Sequence, residues 1–197
     1  APQYMKIANM GLYDPQYWDI YDDPDFNKSK STDLSLMIEN QSNGRKVCCI
    51  LGALTSIKGL SFINDTLEKY PEIMNQILFV FAGKSTAFES NIMDSLKEKD
   101  TLVVDRFTSN DEISSAYKVA DIIWCCYAPE YNQASGIFGR AIQLNKCVIV
   151  REDSIVSQLS EKEGIKGLYS VKYNDTESLF NFLLSNDFDF NYIQHDI

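Results

Sequence analysis

Six short apolar runs, separated by segments with helical periodicity, constrain the fold of this chain most. Each run is continuous rather than alternating, which is typical of strands buried on both faces of a parallel sheet. The runs span residues 47–51, 77–81, 102–104, 122–126, 148–150 and, more weakly, 168–171. Their regular alternation with helical segments predicts an α/β fold with one open parallel sheet of about six strands and right-handed crossovers.

The segments between the runs have apolar residues at helical spacing. Helices are predicted from Gly59 to just before Pro71, over about 87–99, from a cap at Ser109 or Asn110, after Ser135, over 154–162 and over 176–184. Parallel strands all end at one edge of their sheet. Ligands of such sheets bind beyond that carboxyl edge, so side chains in the loops after the strands are the candidate site.

The two ends of the chain depart from this rhythm. Residues 1–45 are predicted to be an irregular segment, aromatic and acidic between 13 and 25, with a short helix over 34–40 that ends at Asn43-Gly44. Residues 46–185 form the predicted domain, and 186–197 form a tail. The chain begins with Ala1 and has no initiator methionine, so we expect it to be a piece of a longer protein.

Composition excludes several classes of partner. The formal net charge of −10 over 197 residues disfavours nucleic acid and an anionic membrane surface as partners. No signal peptide and no apolar run long enough to span a bilayer is present. The five cysteines lie in the apolar runs or, for Cys147, directly before one, without metal-ligand spacing. They predict buried, reduced thiols in a cytoplasmic protein, and no metal.

Two strand-to-helix junctions carry the candidate chemistry. After the first run comes Gly52-Ala53-Leu54-Thr55-Ser56-Ile57-Lys58-Gly59, and after the fourth comes a loop that becomes a helix at Ser135-Gly136. The free N–H groups of a helix start attract phosphate, and a flexible ammonium such as that of Lys58 can reach a diphosphate. Together the junctions predict a nucleotide-diphosphate site. The alternative is two ordinary turns with a solvated lysine.

Two other motifs are rejected. Gly83-Lys84-Ser85-Thr86 resembles the end of a P-loop, but that pattern needs a glycine where Leu78 stands inside a predicted strand. Gly83 is better explained as a tight turn at a strand end, where backbone can approach a ligand. His195, the only histidine, is the third residue from the end of the chain, which disfavours a catalytic triad.

The ordered set of motifs resembles the C-terminal, nucleotide-sugar-binding domain of GT-B glycosyltransferases, in the retaining "glycosyltransferase group 1" family. The likeness covers about residues 46–185. It rests on Gly52-Ala53-Leu54 with Lys58-Gly59, Phe79 to Gly83, Phe107 with Glu112 and Tyr117, Ala120 to Ile123, Ser135-Gly136 and Lys146 to Ile149. The resemblance implies a Rossmann-like domain with helices on both faces. It also implies a missing N-terminal acceptor-binding domain, with 1–45 as the end of the interdomain connection.

Several positions depart from the family pattern. Ala53 stands where the family usually has an arginine, and Asn132 and Arg140 stand where it has two glutamates. Ser135-Gly136 resembles a Ser-Gly variant within the superfamily. A guanidinium cannot accept hydrogen bonds from a ribose, so we expect Arg140 to replace the missing cation, with Glu130 or Asp105 as alternative partners of its charge. Glu130 is an alternative acid for the site, or an exposed loop carboxylate.

The resemblance implies a donor site and a function. The predicted nucleotide-sugar contacts are Gly52, Ala53, Lys58, Gly83, Phe107, Asn132, Ser135, Gly136, Ile137 and Arg140. No catalytic residue is assigned, and no cofactor or metal is expected. The implied function is donor binding in a hexosyltransferase that acts on a glycan or lipid-linked acceptor in polysaccharide biosynthesis. The expected location is the cytoplasm, or the membrane surface through the missing half, and this fragment alone should be inactive.

Two other functions are compatible with the sequence. The first is a non-catalytic GT-B-like binding or partner subunit that has lost the acidic motif, which the replaced arginine and glutamates favour. The second is an unrelated flavodoxin-like binding domain.

Overall fold

The computed structural model describes residues 30–133 and 135–185, and within them it contains one six-stranded sheet in which every neighbouring pair is parallel. The strands are β1 (Lys46–Leu51), β2 (Ile77–Gly83), β3 (Leu102–Asp105), β4 (Ile122–Cys125), β5 (Cys147–Arg151) and β6 (Leu168–Val171). The predicted fold class is confirmed: an open, Rossmann-like α/β sheet of six parallel strands. Each predicted run became a strand, and the apolar side chains of the four central strands are buried, whereas β3 and β6 at the sheet edges are only partly buried.

Seven α-helices flank the sheet in the described ranges. They are α1 (Asp33–Ser42), α2 (Leu60–Lys69), α3 (Ser90–Lys97), α4 (Asn110–Val119), α5 (Gly136–Gln143), α6 (Ile155–Glu163) and α7 (Thr176–Leu184). Ser109 is the residue that caps α4, with its hydroxyl accepting from Glu112 N–H and the Glu112 carboxylate accepting from Ser109 N–H. The segment predicted to be helical over 87–99 begins with a 3₁₀ turn, Ala87–Glu89, before α3.

The core has two layers, one on each face of the sheet. Alternate residues of each strand face opposite ways, so Cys49 and Leu51 join one layer while Cys48 and Ile50 join the other. The first layer takes buried side chains from α1, α4, α5 and α6. The second takes them from α2, α3 and α7. Helices therefore cover both faces, as predicted.

Helix α1 belongs to the packed core although it precedes residue 46. Leu34 and Ile38 are fully buried in the first layer, and the Thr32 hydroxyl lies 2.6 Å from that of Ser115 on α4. Asn43 ends the helix in the left-handed conformation. The aromatic and acidic stretch over 13–25, the tail over 186–197 and His195 lie outside the described residues.

The order of the strands defines where a ligand would bind. Across the sheet the order is β3-β2-β1-β4-β5-β6. The order reverses between β1 and β4, and the loops after these two strands lead to opposite faces, which opens a crevice at the carboxyl edge. A flavodoxin-like sheet has a different order, so that alternative is wrong.

Two further features follow from the described residues. All five cysteines are free and buried inside the sheet layers. None of the helices in the described ranges has the length and apolar character needed to cross a bilayer.

Candidate anion site at the carboxyl edge of the sheet

Two glycines bring the loops after β1 and β2 into direct contact. Gly52 has a φ of 85° and Gly83 a φ of 153°, and both values disfavour other residues. A Cβ built on Gly83 would lie 1.8 Å from the Gly52 carbonyl oxygen. The predicted role of Gly83 as a close-approach position is therefore explained by this backbone contact.

Lys58 is held by its backbone at the end of a short 3₁₀ turn, Ser56–Lys58. The indole N–H of the buried Trp124, on β4, donates to the Lys58 carbonyl oxygen at 2.7 Å. The Ala128 N–H donates to the carbonyl oxygen of Ile57 at 2.9 Å. These two hydrogen bonds join the loop after β1 to β4 and to the loop that follows it. The backbone of Lys58 is thus fixed beside the crevice.

The Lys58 ammonium is half-buried without a carboxylate to balance it. Its Nζ lies 4.7 Å from the centroid of the Tyr127 ring. Across residues 30–133 and 135–185, no carboxylate lies within ion-pair distance of this nitrogen. Burial lowers the pKa of Lys58, and the nearby Cys125 thiol opposes that shift. A partly desolvated cation of this kind is stabilised by an incoming anion.

Helix α5 begins at the opposite side of the same crevice. Ser135 is its N-cap, and its hydroxyl oxygen accepts from the Phe138 N–H at 3.4 Å. The N–H groups of Gly136 and Ile137 have no partner within the helix, as in any first turn. They carry the positive end of the helix dipole. The helix start therefore adds a second attraction for an anion.

Gly52 lies where the lysine and the helix meet. A Cβ built on Gly52 would be 4.0 Å from Lys58 Nζ and 4.0 Å from Ile137 Cδ1. The structure thus brings together Gly52, Lys58, Ile137 and, through the backbone contact described above, Gly83. Ser135 and Gly136 immediately precede Ile137 on the chain. These six of the ten predicted contacts form one group around the crevice.

Arg140 lies on the exposed side of α5, and no ion pair connects it with another described residue. Burial raises the pKa of Tyr117, and the positive charge of Arg140 opposes this shift. Asp105 is not its partner, because that carboxylate is used by Ser85 and Lys84. Glu130 is an exposed loop residue.

The remaining three predicted contacts lie apart from this group. Ala53 is exposed and follows β1. Phe107 is 85% exposed after β3, two strands away from β1. Asn132 uses its amide oxygen within the protein, where it accepts from Ile155 N–H at 2.8 Å and from Arg151 Nη2 at 3.4 Å. This oxygen therefore helps to cap α6 rather than facing the crevice unpaired.

Two carboxylates, Glu89 and Asp105, connect the loops beside β2 and β3, and Glu89 was not singled out from the sequence. Glu89 is 5% exposed and accepts from Ser56 N–H at 3.0 Å and from the N–H and hydroxyl of Thr86. Asp105 accepts from Ser85 N–H at 2.9 Å and from its hydroxyl at 2.7 Å. The loops after β1, β2 and β3 are thereby linked in series.

Sequence reasoning also missed Tyr127 and Trp124, which surround Lys58. Tyr127 is 4% exposed, and its hydroxyl lies 2.7 Å from Ser135 Oγ. The sequence feature that could have indicated Tyr127 is a bulky aromatic residue just beyond the end of a buried strand, but the family resemblance includes no motif at this position. The described part of the chain contains no group of three or more histidine, cysteine, aspartate or glutamate side chains that could hold a metal ion.

Comparison with known proteins gives no match in sequence and many in structure. No protein-family model matches the sequence, and no curated protein does. A UDP-forming trehalose-phosphate synthase from Burkholderia xenovorans is similar, with a TM-score of 0.60 at 11% identity over 92% of this chain and 44% of that one. An E. coli trehalose-6-phosphate structure with bound UDP-2-fluoroglucose gives 0.55 at 10% identity, over 81% and 41%.

A third similar structure has a different name. The N-terminal domain of trehalose-6-phosphate phosphatase from Candida albicans gives a TM-score of 0.57 at 13% identity, over 86% of this chain and 40% of that one. At such identities the likeness concerns the fold. The chain spans about two fifths of the length of these structures.

Proposed function

We propose that this chain is the nucleotide-sugar-binding part of a glycosyltransferase with the GT-B architecture. The observation that carries the proposal is the half-buried Lys58 ammonium, which has no carboxylate among the described residues and lies beside the start of α5 at the crevice. The fold shared with UDP-forming synthases supports it, because a nucleoside diphosphate is a product of those proteins. The motif order that resembles the retaining group 1 family, in its Ser-Gly variant, supports the same class.

In this proposal the protein acts by electrostatic stabilisation. Lys58 contacts the diphosphate, and the N–H groups of Gly136 and Ile137 donate to its oxygens. The negative charge on the diphosphate grows as the bond to the sugar breaks, so fixed positive charge lowers the barrier. The exposed Arg140 on α5 adds a cation that replaces the family arginine for which Ala53 is substituted. No metal is needed for this charge balance, and no catalytic acid or base is assigned.

The wider setting also belongs to the proposal. The acceptor is a glycan or a lipid-linked sugar, bound by an N-terminal domain outside this chain, and the reaction serves polysaccharide biosynthesis in the cytoplasm. The length relation to the similar structures supports a second domain, since about three fifths of each lies outside the match. The fragment alone would bind donor without turnover.

The experiment is a calorimetric titration of the chain with UDP, GDP, ADP and CDP, and with the matching nucleosides. We expect binding of at least one diphosphate, and at least tenfold weaker binding of its nucleoside, because each charge-assisted contact contributes about 1.5–3 kcal/mol. If no diphosphate binds to the folded chain, the proposal is wrong.

A specific observation favours a second candidate, a GT-B-like subunit that binds a nucleotide without transferring a sugar. The ribose-accepting glutamate of the family is replaced by Arg140, and Asn132 uses its oxygen to cap α6. The Candida albicans match shows that this fold also occurs in the N-terminal domain of a protein named for phosphatase activity. Slow release of UDP from UDP-glucose by the longer protein would favour the enzyme, whereas binding without any release would favour the subunit.

A further inference from the structure

We infer that Tyr127 is a positioning residue that holds both sides of the anion site, with Lys58 over its ring face and Ser135 at its hydroxyl. The inference rests on the proposed function in one respect: if a diphosphate binds, Tyr127 sets the spacing between its contacts with Lys58 and with the start of α5. Its structural content is independent of any ligand and can be tested without one.

The ring of Tyr127 faces the Lys58 ammonium at a place where no described carboxylate lies within ion-pair distance. The ammonium lies 4.7 Å from the ring centroid, within the range of a cation–π interaction. The ring itself cannot move freely, since it is 4% exposed and packs edge-on against Tyr131 with centroids 5.2 Å apart. An aromatic face attracts the ammonium without neutralising it. The positive charge therefore stays available to an anion, which a carboxylate at the same place would prevent.

The hydroxyl of the same side chain reaches the helix start. Tyr127 Oη lies 2.7 Å from Ser135 Oγ, which also accepts from Phe138 N–H. When the Tyr127 proton points to Ser135, the Ser135 oxygen accepts two hydrogen bonds and its own proton can be donated to a phosphate oxygen. When Ser135 donates to Tyr127 instead, the Tyr127 proton can go to Cys125 Sγ, 3.6 Å away. In the first arrangement, Tyr127 leaves the Ser135 proton free to be donated outward to an anion.

The groups that face Lys58 are all compatible with a fixed cation. Trp124 donates to its carbonyl oxygen from β4 and Tyr127 lies under its ammonium, while Ile137 of α5 lies, like Lys58 Nζ, 4.0 Å from a Cβ built on Gly52. Burial, opposed by the hydrogen bond from Tyr127 and by Lys58, raises the pKa of Cys125 to about 11, so this thiol is neutral at pH 7. No member of this set carries a negative charge at neutral pH.

The first test needs no ligand. The ammonium titration of Lys58 is followed by ¹³C NMR of the lysine Cε, with the signal assigned by its loss in Lys58→Arg. We expect Tyr127→Phe, which keeps the ring, to titrate like the wild type. Tyr127→Leu should lower the protonation constant of Lys58 about threefold or more, because the ring attraction is lost. If the leucine variant does not fold, Tyr127→Met replaces it.

The matched controls use a second lysine over a tyrosine. Lys69 Nζ lies 4.9 Å from the Tyr70 ring at the C-terminal end of α2, whereas Lys58 precedes the start of that helix. Tyr70→Leu and Tyr70→Phe should leave the Lys58 titration and the diphosphate affinity unchanged. An unchanged Lys58 titration in a folded Tyr127→Leu or Tyr127→Met protein would overturn the inference.

The second test is a double-mutant cycle on UDP binding. Tyr127→Phe should weaken binding about threefold to tenfold, as expected for one neutral hydrogen bond, and Ser135→Ala should weaken it by a similar factor. If Tyr127 acts through Ser135, the double variant binds no more weakly than Ser135→Ala alone. Additive losses would show that the hydroxyl acts on its own and would overturn this half of the inference.

The two proposals fail in different ways. A wild-type chain that binds no nucleoside diphosphate contradicts the proposed function, while the Lys58 titration still decides whether Tyr127 holds the ammonium. A wild type that binds UDP, together with Tyr127 variants that titrate and bind like it, supports the function and contradicts the role of Tyr127.

Discussion

The carboxyl edge of the sheet has two sides with opposite electrostatic design. Beside β2 and β3, the carboxylates of Glu89 and Asp105 each accept several hydrogen bonds from neighbouring backbone and hydroxyl groups. Between β1 and β4, the Lys58 ammonium lies over the Tyr127 ring and has no described carboxylate within ion-pair distance. On the first side the carboxylates are satisfied by hydrogen bonds within the protein, whereas on the second side a positive charge is available to an anionic ligand.

The difference distinguishes charged groups that stabilise the fold from charged groups that are placed to bind a ligand. A buried carboxylate with satisfied hydrogen bonds stabilises the loops that it joins. A half-buried cation without a counter-charge costs free energy in the absence of ligand and lowers the free energy of the bound state. We therefore expect substitutions on the first side to change stability, and those on the second to change affinity.

The largest effect should come from the glycine that both sides depend on. Gly83→Ala places a Cβ at 1.8 Å from the Gly52 carbonyl oxygen and requires a φ of 153° from alanine. The backbone would have to move, so we expect the free energy of unfolding to fall by about 3 kcal/mol or more. Urea unfolding followed by circular dichroism measures this. Gly44→Ala, with no atom within 4 Å of the new Cβ, is a control for the strain of positive φ alone.

Lysine substitutions compare the two sides directly. Lys58→Ala should weaken binding of a nucleoside diphosphate about tenfold or more, since a charge-assisted contact contributes about 1.5–3 kcal/mol. Lys84→Ala is the matched control, because Lys84 is exposed and paired with Asp105 at 3.3 Å. Its loss should change affinity and stability little. Equal losses of affinity in the two variants would contradict the division between the sides.

Removing a carboxylate from the first side should affect stability and not binding. Asp105→Ala leaves the buried N–H of Ser85 without its acceptor, which costs about 1–3 kcal/mol of unfolding free energy. Asp94→Ala breaks only an exposed pair with Lys97 and should cost less than about 1 kcal/mol. Chemical denaturation of both variants gives the comparison. A stable Asp105→Ala protein with altered UDP affinity would place this carboxylate in the binding site.

The same side should make the protein sensitive to acid. Burial raises the pKa of Glu89, but hydrogen bonds from Thr86 and Ser56 outweigh it, so the pKa lies below its ordinary value of 4.5. The backbone N–H and hydroxyl of Ser85 lower the pKa of Asp105 below 3.8. Both groups bind protons more readily in the unfolded chain, so their contribution is present above those values and is lost as pH falls through the lowered ones. The slope of urea midpoints below about pH 4.5 should decrease in Glu89→Gln.

Arg140 should give the smallest effect. An exposed guanidinium is screened by solvent, so we expect Arg140→Glu to weaken diphosphate binding only about threefold to tenfold. Titration with both the diphosphate and the nucleoside measures it. Stronger nucleoside binding would instead mean that the new glutamate restores a ribose contact. With no change for either ligand, Arg140 lies outside the site.

The strands and the sheet were predictable because their signal is local. Six apolar runs became six parallel strands, and the predicted bounds of β6 and α7 agree with the structure. Burial of both sheet faces requires continuous apolar runs, and this requirement is written in each segment separately. The short helix over 34–40 was also predicted, but its packing against α4 was not, because Thr32 and Ser115 are 83 positions apart.

Residues of the candidate site could be predicted only where they belong to a recognisable sequence motif. Gly52, Lys58 and the helix start at Ser135 could be identified from spacing, since a strand-to-helix junction needs small residues and free N–H groups. The role of Asn132 could not be identified from the sequence, because its hydrogen-bond partner Ile155 follows another strand. Tyr127 could not be identified either: its meaning depends on Lys58 and Ser135 lying on either side of it. The sequence by itself determined which elements form, through local periodicity. Only the tertiary structure decided which charges stay unpaired, because that depends on contacts between distant loops.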